Sequence, residues 1–504
     1  MDRRDAPVGL DREDRTYRLE PLDPSGIFLG LGAVQCVFLG GGITSAVVGL
    51  TAGLPLPIAV VPLLVAAAAS FARVGGQVVW EWIPLGATWA WTRLRRGRSW
   101  TAPLPLLPAA DGTKIALPPC LAGLEVTEVP WRARFDAGVV RDTVRNTLTA
   151  LIRVSGPQFV VEPRPEQERL LAGWGDVLNQ FATERGVVTH LGWSDLARPS
   201  GMHEHLAWLA DQPKAAVDSE AADSYRELVE VGTAAATTHD VVVTITVARD
   251  RLGRRRNSET DPEDLLQRAI TSSVDALLRG LRAAGLTASD PLDVAELQRL
   301  LRSRIDPTTA TSRTGTGRLV DRLRLVTEAS SGPLATETTW SALRVDGAWH
   351  RTYWVACWPR LAVPPSWMEP FLSGGGITRT MTVTLLPVST WQSRRRIERD
   401  LVKHESDAAT KEEKGRRVDA RHRRATQALL DREEELVAGY AEMAYVGLVT
   451  VSASSAEELD EHCEITEQLA REAGMELRSL DGRQDLAWAA ALPLGLAPRT
   501  LVAT

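Results

Sequence analysis

Lysine is nearly missing from this chain. Of 58 basic residues only Lys114, Lys214, Lys403, Lys411 and Lys414 are lysines, and no glycine stands directly before any of them. A P-loop needs G-x-x-x-x-G-K-[ST], because its backbone amides and its lysine together hold the phosphates. Nucleotide hydrolysis of that type is excluded. H-E-x-x-H is absent, and His203-Glu204-His205 is the lone histidine cluster. Two histidines two positions apart diverge on a strand or a helix, so they read as a polar loop and not as a joint metal site. G-x-S-x-G is absent, which removes support for a hydrolase elbow. The four cysteines (Cys36, Cys120, Cys357, Cys463) are scattered without metal or redox spacing. A disulfide framework and a zinc site are therefore not expected. No catalytic, cofactor-binding or metal-binding residue emerges, and the chain reads as a non-enzyme. A net charge of −6 argues against a protein that coats nucleic acid.

Charge is also missing locally. Residues 24–72 contain no Asp, Glu, Lys, Arg or His, although 24% of the chain is charged. The run is about twice the ~20 apolar residues that one transmembrane helix needs. Ala52-Gly53-Leu54-Pro55-Leu56-Pro57 splits it with turn chemistry. A transmembrane helical hairpin is predicted, Ile27 to Leu50 outward and Ile58 to about Val79 back. A signal peptide has a shorter apolar core and a basic start. Here acids and arginines are mixed over the preceding residues. A pair of buried core helices is the other reading. Short Arg-rich flanks stay cytoplasmic. Arg3, Arg4, Arg12, Arg15 and Arg18 precede the run, and Arg73, Arg93, Arg95, Arg96 and Arg98 follow it. The expected location is the cytoplasmic (inner) membrane, multi-pass, with both termini cytosolic. Trp80, Trp82, Trp89 and Trp91 crowd the exit and suit the headgroup zone, as do the arginines beside them. The alternative for these tryptophans is packing against the rest of the protein.

The remainder is long enough for two cored units. Residues 1–24 form a cytosolic tail and 25–80 the membrane hairpin. Residues 81–130 are a Trp/Arg-rich segment followed by a Pro-rich linker. A first α+β half covers 131–305, a Thr/Gly-rich excursion 306–338 and a second α+β half 339–504. Strands are predicted at Thr147–Val154, Val187–Leu191, Val241–Ala248, Arg379–Leu386 and Val446–Val451. Helices are predicted over Pro165–Arg185, Asp261–Ala284, Asp293–Ile305 and Ala456–Ala473, from apolar spacing and stop signals. Asp346-Gly347, between Trp340–Val345 and Trp349–Trp358, is a strong hairpin signal. Gly374-Gly375-Gly376 reads as a flexible connection, with phosphate contact the less favoured use. Residues 391–444 form a long charged helical region with a break at Lys414-Gly415, better served by two antiparallel arms than by one rod. The class is α+β: an N-terminal transmembrane helical hairpin, then a cytosolic two-part α+β region with a long charged helical segment.

Two regions carry a family resemblance. Arg73-Val74-Gly75-Gly76, Trp89-Ala90-Trp91 and Arg93-Leu94-Arg95-Arg96-Gly97-Arg98, after two close apolar helices, resemble the PrgI-type membrane proteins of conjugation loci. Arg394 to Asp400, the charged arms, Tyr445 to Ser452, Glu457-Glu458-Leu459-Asp460 and Ala473 to Gly495 resemble the segment that precedes the motor in conjugation ATPases of the VirB and TraC type. The whole resembles an actinobacterial membrane protein family found with type IV secretion-like genes. It implies a structural component of a translocation machine, docking a separate ATPase and contacting membrane lipid and other membrane subunits; a homo-oligomer is compatible with it. Candidate docking residues are Trp340, Trp349, Trp354, Arg394, Arg395, Arg396, Arg416 and Arg417. The alternatives are a type VII secretion core subunit of the EccE kind and a membrane-tethered transferase.

Overall fold

The structure, a computed structural model, describes residues 33–498 other than 72, 75–76, 98, 103–116, 133–134, 158, 183–185, 200–220, 222–223, 226, 230–236, 253–260, 308–331, 360–362, 414–419 and 438–441. The uncharged run forms two antiparallel helices, α1 (Ala33–Thr51) and α2 (Leu56–Phe71). They touch through small residues. A Cβ on Gly42 would lie 2.6 Å from Ala66 Cβ, and Ala46 and Ala59 are buried in the same seam. The outer faces leave Val37, Val48, Leu56 and Leu64 exposed.

The transmembrane hairpin is corrected here. Among the described residues no helix is long and apolar enough to cross a membrane. With 19 and 16 residues, the helices are about 28 and 24 Å long, against a hydrocarbon core of ~30 Å. The second does not run on to Val79. It stops at Phe71, and β1 (Arg73–Val74) and β2 (Gln77–Val78) pair before α3 (Val79–Arg96) begins. The multi-pass inner-membrane location with both termini cytosolic rested on those spans and is withdrawn with them.

The α+β class itself holds. The elements that follow are β3 (Ser99–Thr101), β4 (Leu124–Arg132), β5 (Phe135–Asp142), β6 (Thr147–Ser155), α4 (Arg164–Phe181), β7 (Val188–Pro199) and β8 (Thr237–Ala248). Next come α5 (Pro262–Ala283), β9 (Thr287–Ala288), α6 (Val294–Ile305), β10 (Ala335–Thr338), β11 (Leu343–Val345) and β12 (Ala348–Cys357). The last are α7 (Glu369–Ser373), β13 (Arg379–Pro387), α8 (Thr390–Glu413), α9 (Ala420–Val437), β14 (Met443–Ala453), α10 (Ala456–Glu472), β15 (Glu476–Ser479) and α11 (Gln484–Ala491). Both halves share one antiparallel sheet, ordered β3-β10-β11-β12-β14-β13-β7-β8-β6-β5-β4, with β15 on β12 and β9 on β6. The join is β7 against β13, in register from Arg379↔Ala197 to Leu385↔Leu191.

Helices cover both faces. α4 and α5 bury Val177, Leu277 and Leu281 against Ile152, Val243 and Ile245. Farther along that face, α10 sets Leu459 and Cys463 on Tyr353, Val449 and Val451. The opposite face carries α6 and α11, with Leu297, Leu301 and Trp488 over Val140, Leu151 and Val242. A diagonal of buried hydroxyls crosses this second face: Thr149 with Thr246 (2.9 Å), Thr382 with Ser194 (3.1 Å) and Thr352 with Thr450 (3.0 Å). Backbone from the α11 end closes over it. Thr382 Oγ1 donates to Ala491 O at 2.7 Å, and His190 Nε2 donates to Gly495 O at 2.9 Å. Gly495 has φ +73°, and a Cβ there would fall 2.0 Å from Thr149 Oγ1, so only glycine fits this approach.

Candidate functional site

The tryptophans expected at headgroups or at a docking face are largely used inside the chain. α3 lays Trp82 and Trp89 on Trp340, with ring centroids 6.0 and 5.1 Å apart. Arg93 caps Trp89 at 4.6 Å. Gly482 lies under the same Trp340 ring and beside Leu85. Trp349 packs on the core under α10, and Trp354 packs beside Leu448 and Ala490. Trp91 faces outward, 57% exposed. Arg73 lies in β1, Trp80, Arg95 and Arg96 lie in α3, and the side chains of all four fall outside the described residues, as does Arg98.

What stands clear of the core is the pair α8 and α9. They are an insertion between two strands that pair directly, β13 and β14, from Arg379↔Val451 to Pro387↔Met443. Helices of 24 and 18 residues reach about 36 and 27 Å. They pack against each other. Half-buried Leu401, His404 and Ala408 on α8 and Thr426, Leu429, Arg432 and Leu436 on α9 recur at three- and four-residue spacing, the pattern of an antiparallel two-helix seam. The root is clamped. Ile397 is buried, and Glu442 accepts from both Arg396, at 3.3 Å, and Arg432. Beyond the root Val402 and Leu430 are 65% and 40% exposed. Arg416 and Arg417 fall outside the described residues.

The root also forms a groove of about 630 Å³ lined by Trp391, Gln392, Arg395, Arg396, Glu398 and Arg399. Trp391 is 55% exposed, and the Arg395 guanidinium stacks over its ring at 4.7 Å. Arg394 is exposed on the neighbouring face. Of the predicted docking residues, the structure brings Arg395 and Arg396 together here. Trp391 was missed because it sits at a helix start, where its exposure is not legible from spacing.

A second charged group is buried where the halves meet. Asp195 on β7, 3% exposed, accepts from His239 Nδ1 at 2.8 Å. Hydrogen bonding to that carboxylate raises the imidazole above its ordinary range. Arg379 and Arg304 are almost fully buried. Burial pushes both guanidiniums down to about 10, and the field of Asp195 opposes that fall in each. Arg379 Nη2 donates to Gly374 O at 2.8 Å, so the triple glycine is tied to the sheet and is not a loose connection. Arg304 donates to Asp240 from the other face. Among the described residues no group of three metal-ligating side chains accompanies the Asp195–His239 pair.

His350 gives a test with a defined sign. It is buried, donates from Nε2 to Ile305 O at 3.1 Å and accepts at Nδ1 from Ser452 Oγ at 2.9 Å. Burial lowers its pKa from 6.5 to about 4. The unfolded chain therefore takes up a proton between those values and the folded chain does not. The stability contribution is full above about 6.5 and is lost as pH falls to about 4, amounting to about 3 kcal/mol at most. Urea midpoints across that range are expected to fall with pH, and His350→Gln is expected to flatten the slope. His239 acts oppositely: its contribution is present at low pH and is lost as pH rises through its raised pKa.

No protein-family model and no curated protein matches this chain.

Proposed function

We propose that this chain is a non-enzymatic structural subunit of a conjugation or type IV secretion-like translocation machine, and that its α8–α9 arm docks a separate ATPase. The observation that carries this reading is the arm. Two helices leave the sheet between directly paired strands, so the fold closes without them. An inserted element clamped at its root by Glu442 and exposing Val402 and Leu430 fits a partner better than it fits a core. The resemblance of Arg394 to Asp400 and of 445–495 to the pre-motor segment of conjugation ATPases supports the choice of partner. The missing P-loop lysine makes the energy-converting step the partner's.

The experiment is a binding titration of the full chain against a purified motor ATPase of the conjugation type. Val402→Asp with Leu430→Asp is expected to weaken binding at least about tenfold, or ~1.4 kcal/mol. A wild-type chain that binds no such ATPase, or an arm variant that binds equally well, refutes the assignment.

A further inference from the structure

We infer that the groove at the root of α8 receives the acidic ridge of α10 from a second copy of this chain, so that copies associate head to tail. The inference goes beyond the ATPase reading and does not depend on it, since it is argued from the charges of the root and of α10 and not from the exposed Val402 and Leu430. The groove presents Arg395 and Arg399 one helical turn apart, with half-exposed Trp391 a turn before them. Arg396 is already paired with Glu442, whereas Arg395 rests on the Trp391 ring and Arg399 donates to the Arg395 carbonyl. Neither Arg395 nor Arg399 has a carboxylate within ion-pair distance among the described residues.

α10 supplies the matching charge. Its inner face buries Leu459, Cys463, Thr466 and Ala470, which fixes the opposite face outward. Most of its acids are engaged within the chain: Glu458 accepts from Ser454, Asp460 from Arg351 at 2.7 Å and Glu467 from Tyr353 at 3.1 Å. Glu457, Glu461 and Glu464 are different. All three are exposed at the i, i+4, i+7 spacing of one helical stripe, and none has a partner among the described residues. Glu457 and Glu461 repeat the four-residue interval of Arg395 and Arg399, about 6 Å along either axis. Two helices laid side by side can therefore match both pairs at once.

The two faces are kept apart within one molecule. α8 leaves the sheet at the Pro387 and Met443 end, and α10 starts beyond Ala453 at the other end of an 11-residue strand. That strand is about 36 Å long. Groove and ridge are different surfaces, so a single head-to-tail contact leaves one groove and one ridge free, and its repetition builds a ring or a filament. A translocation machine is assembled from such repeats, although the inference rests on the charges and not on that role.

The test is sedimentation velocity of the full chain over a concentration series, in nonionic detergent, which covers apolar faces without screening charge. At about 0.05 M salt the wild type is expected to associate, and at about 1 M, where the Debye length is ~3 Å, to dissociate. Arg395→Glu/Arg399→Glu and Glu457→Arg/Glu461→Arg are each expected to weaken association at least about tenfold. An equimolar mixture is expected to restore it, because each reversed face then meets its opposite on the other variant. Restoration also establishes that both variants are folded. A monomeric wild type at low salt overturns the proposal. So does association that persists in both variants or strengthens with salt, and so does a mixture that stays dissociated.

Discussion

Asp195→Ala is expected to reduce the free energy of unfolding by about 3–5 kcal/mol, the range for removing one partner of a buried charge group. Asp195 is a carboxylate that bonds the His239 imidazole, and its field reaches the guanidiniums of Arg379 and Arg304. Among the described residues Arg379 Nη1 and Arg304 Nε and Nη1 have no hydrogen-bond partner. Without Asp195 no carboxylate offsets the desolvation of Arg379, which keeps its bond to Gly374 O and its contact with the Phe371 ring, and Arg304 keeps only Asp240. Asp195→Asn retains an acceptor for His239 but drops the charge, so most of the loss should persist. Adding Arg379→Met to Asp195→Ala should recover a large part, since a buried cation is then replaced by an apolar chain. The measurement is the urea midpoint at unchanged m. A change within about 0.5 kcal/mol for Asp195→Ala would remove the electrostatic account of this join.

The second large effect is at Trp488. It is 1% exposed and seals the second sheet face, touching the layer formed by Leu297, Leu301, Leu343 and Val345. Trp488→Ala leaves a cavity the surrounding strands cannot fill, which costs about 3–5 kcal/mol. The indole Nε1 has no hydrogen-bond partner among the described residues. Trp488→Phe therefore sacrifices volume but no hydrogen bond, and should lose less than half as much. Denaturant midpoints of the two variants give the comparison. Equal losses would mean that the N–H, and not the ring volume, holds the site.

Some elements were legible because local chemistry decides them. Asp346 takes φ +51° at the turn its sequence marks, and its carboxylate then accepts from Leu334 N, Ala335 N and Arg302. Asp261-Pro262 and Asp293 start α5 and α6 where the caps predict, with the Asp293–Glu296 capping box complete. The charged arms form helices Thr390–Glu413 and Ala420–Val437, and the expected break at Lys414-Gly415 lies outside the described residues. Other elements were hidden. β4 lies in a stretch read as a Pro-rich linker, yet Pro130 stands opposite Asp136 on an edge strand, where a missing N–H is tolerated. β7 was predicted only to Leu191 and runs to Pro199. Gly192, Ser194 and Asp195 are poor strand formers, held extended by β8 on one side and β13 on the other.

The sequence by itself determined the local matters: the uncharged apolar stretch, the charged helical arms, the capped helices, the tight hairpin and the lack of a P-loop. Each depends on residues a few positions apart, whose dihedral preferences and periodicity act without the rest of the chain. Only the tertiary structure decided how long the apolar helices run, that both halves share one sheet, that Trp340 lies under α3, and which arginines lie buried and which remain at the surface. Those outcomes depend on side chains separated by tens to hundreds of positions, where burial and pairing across strands override what any short segment prefers.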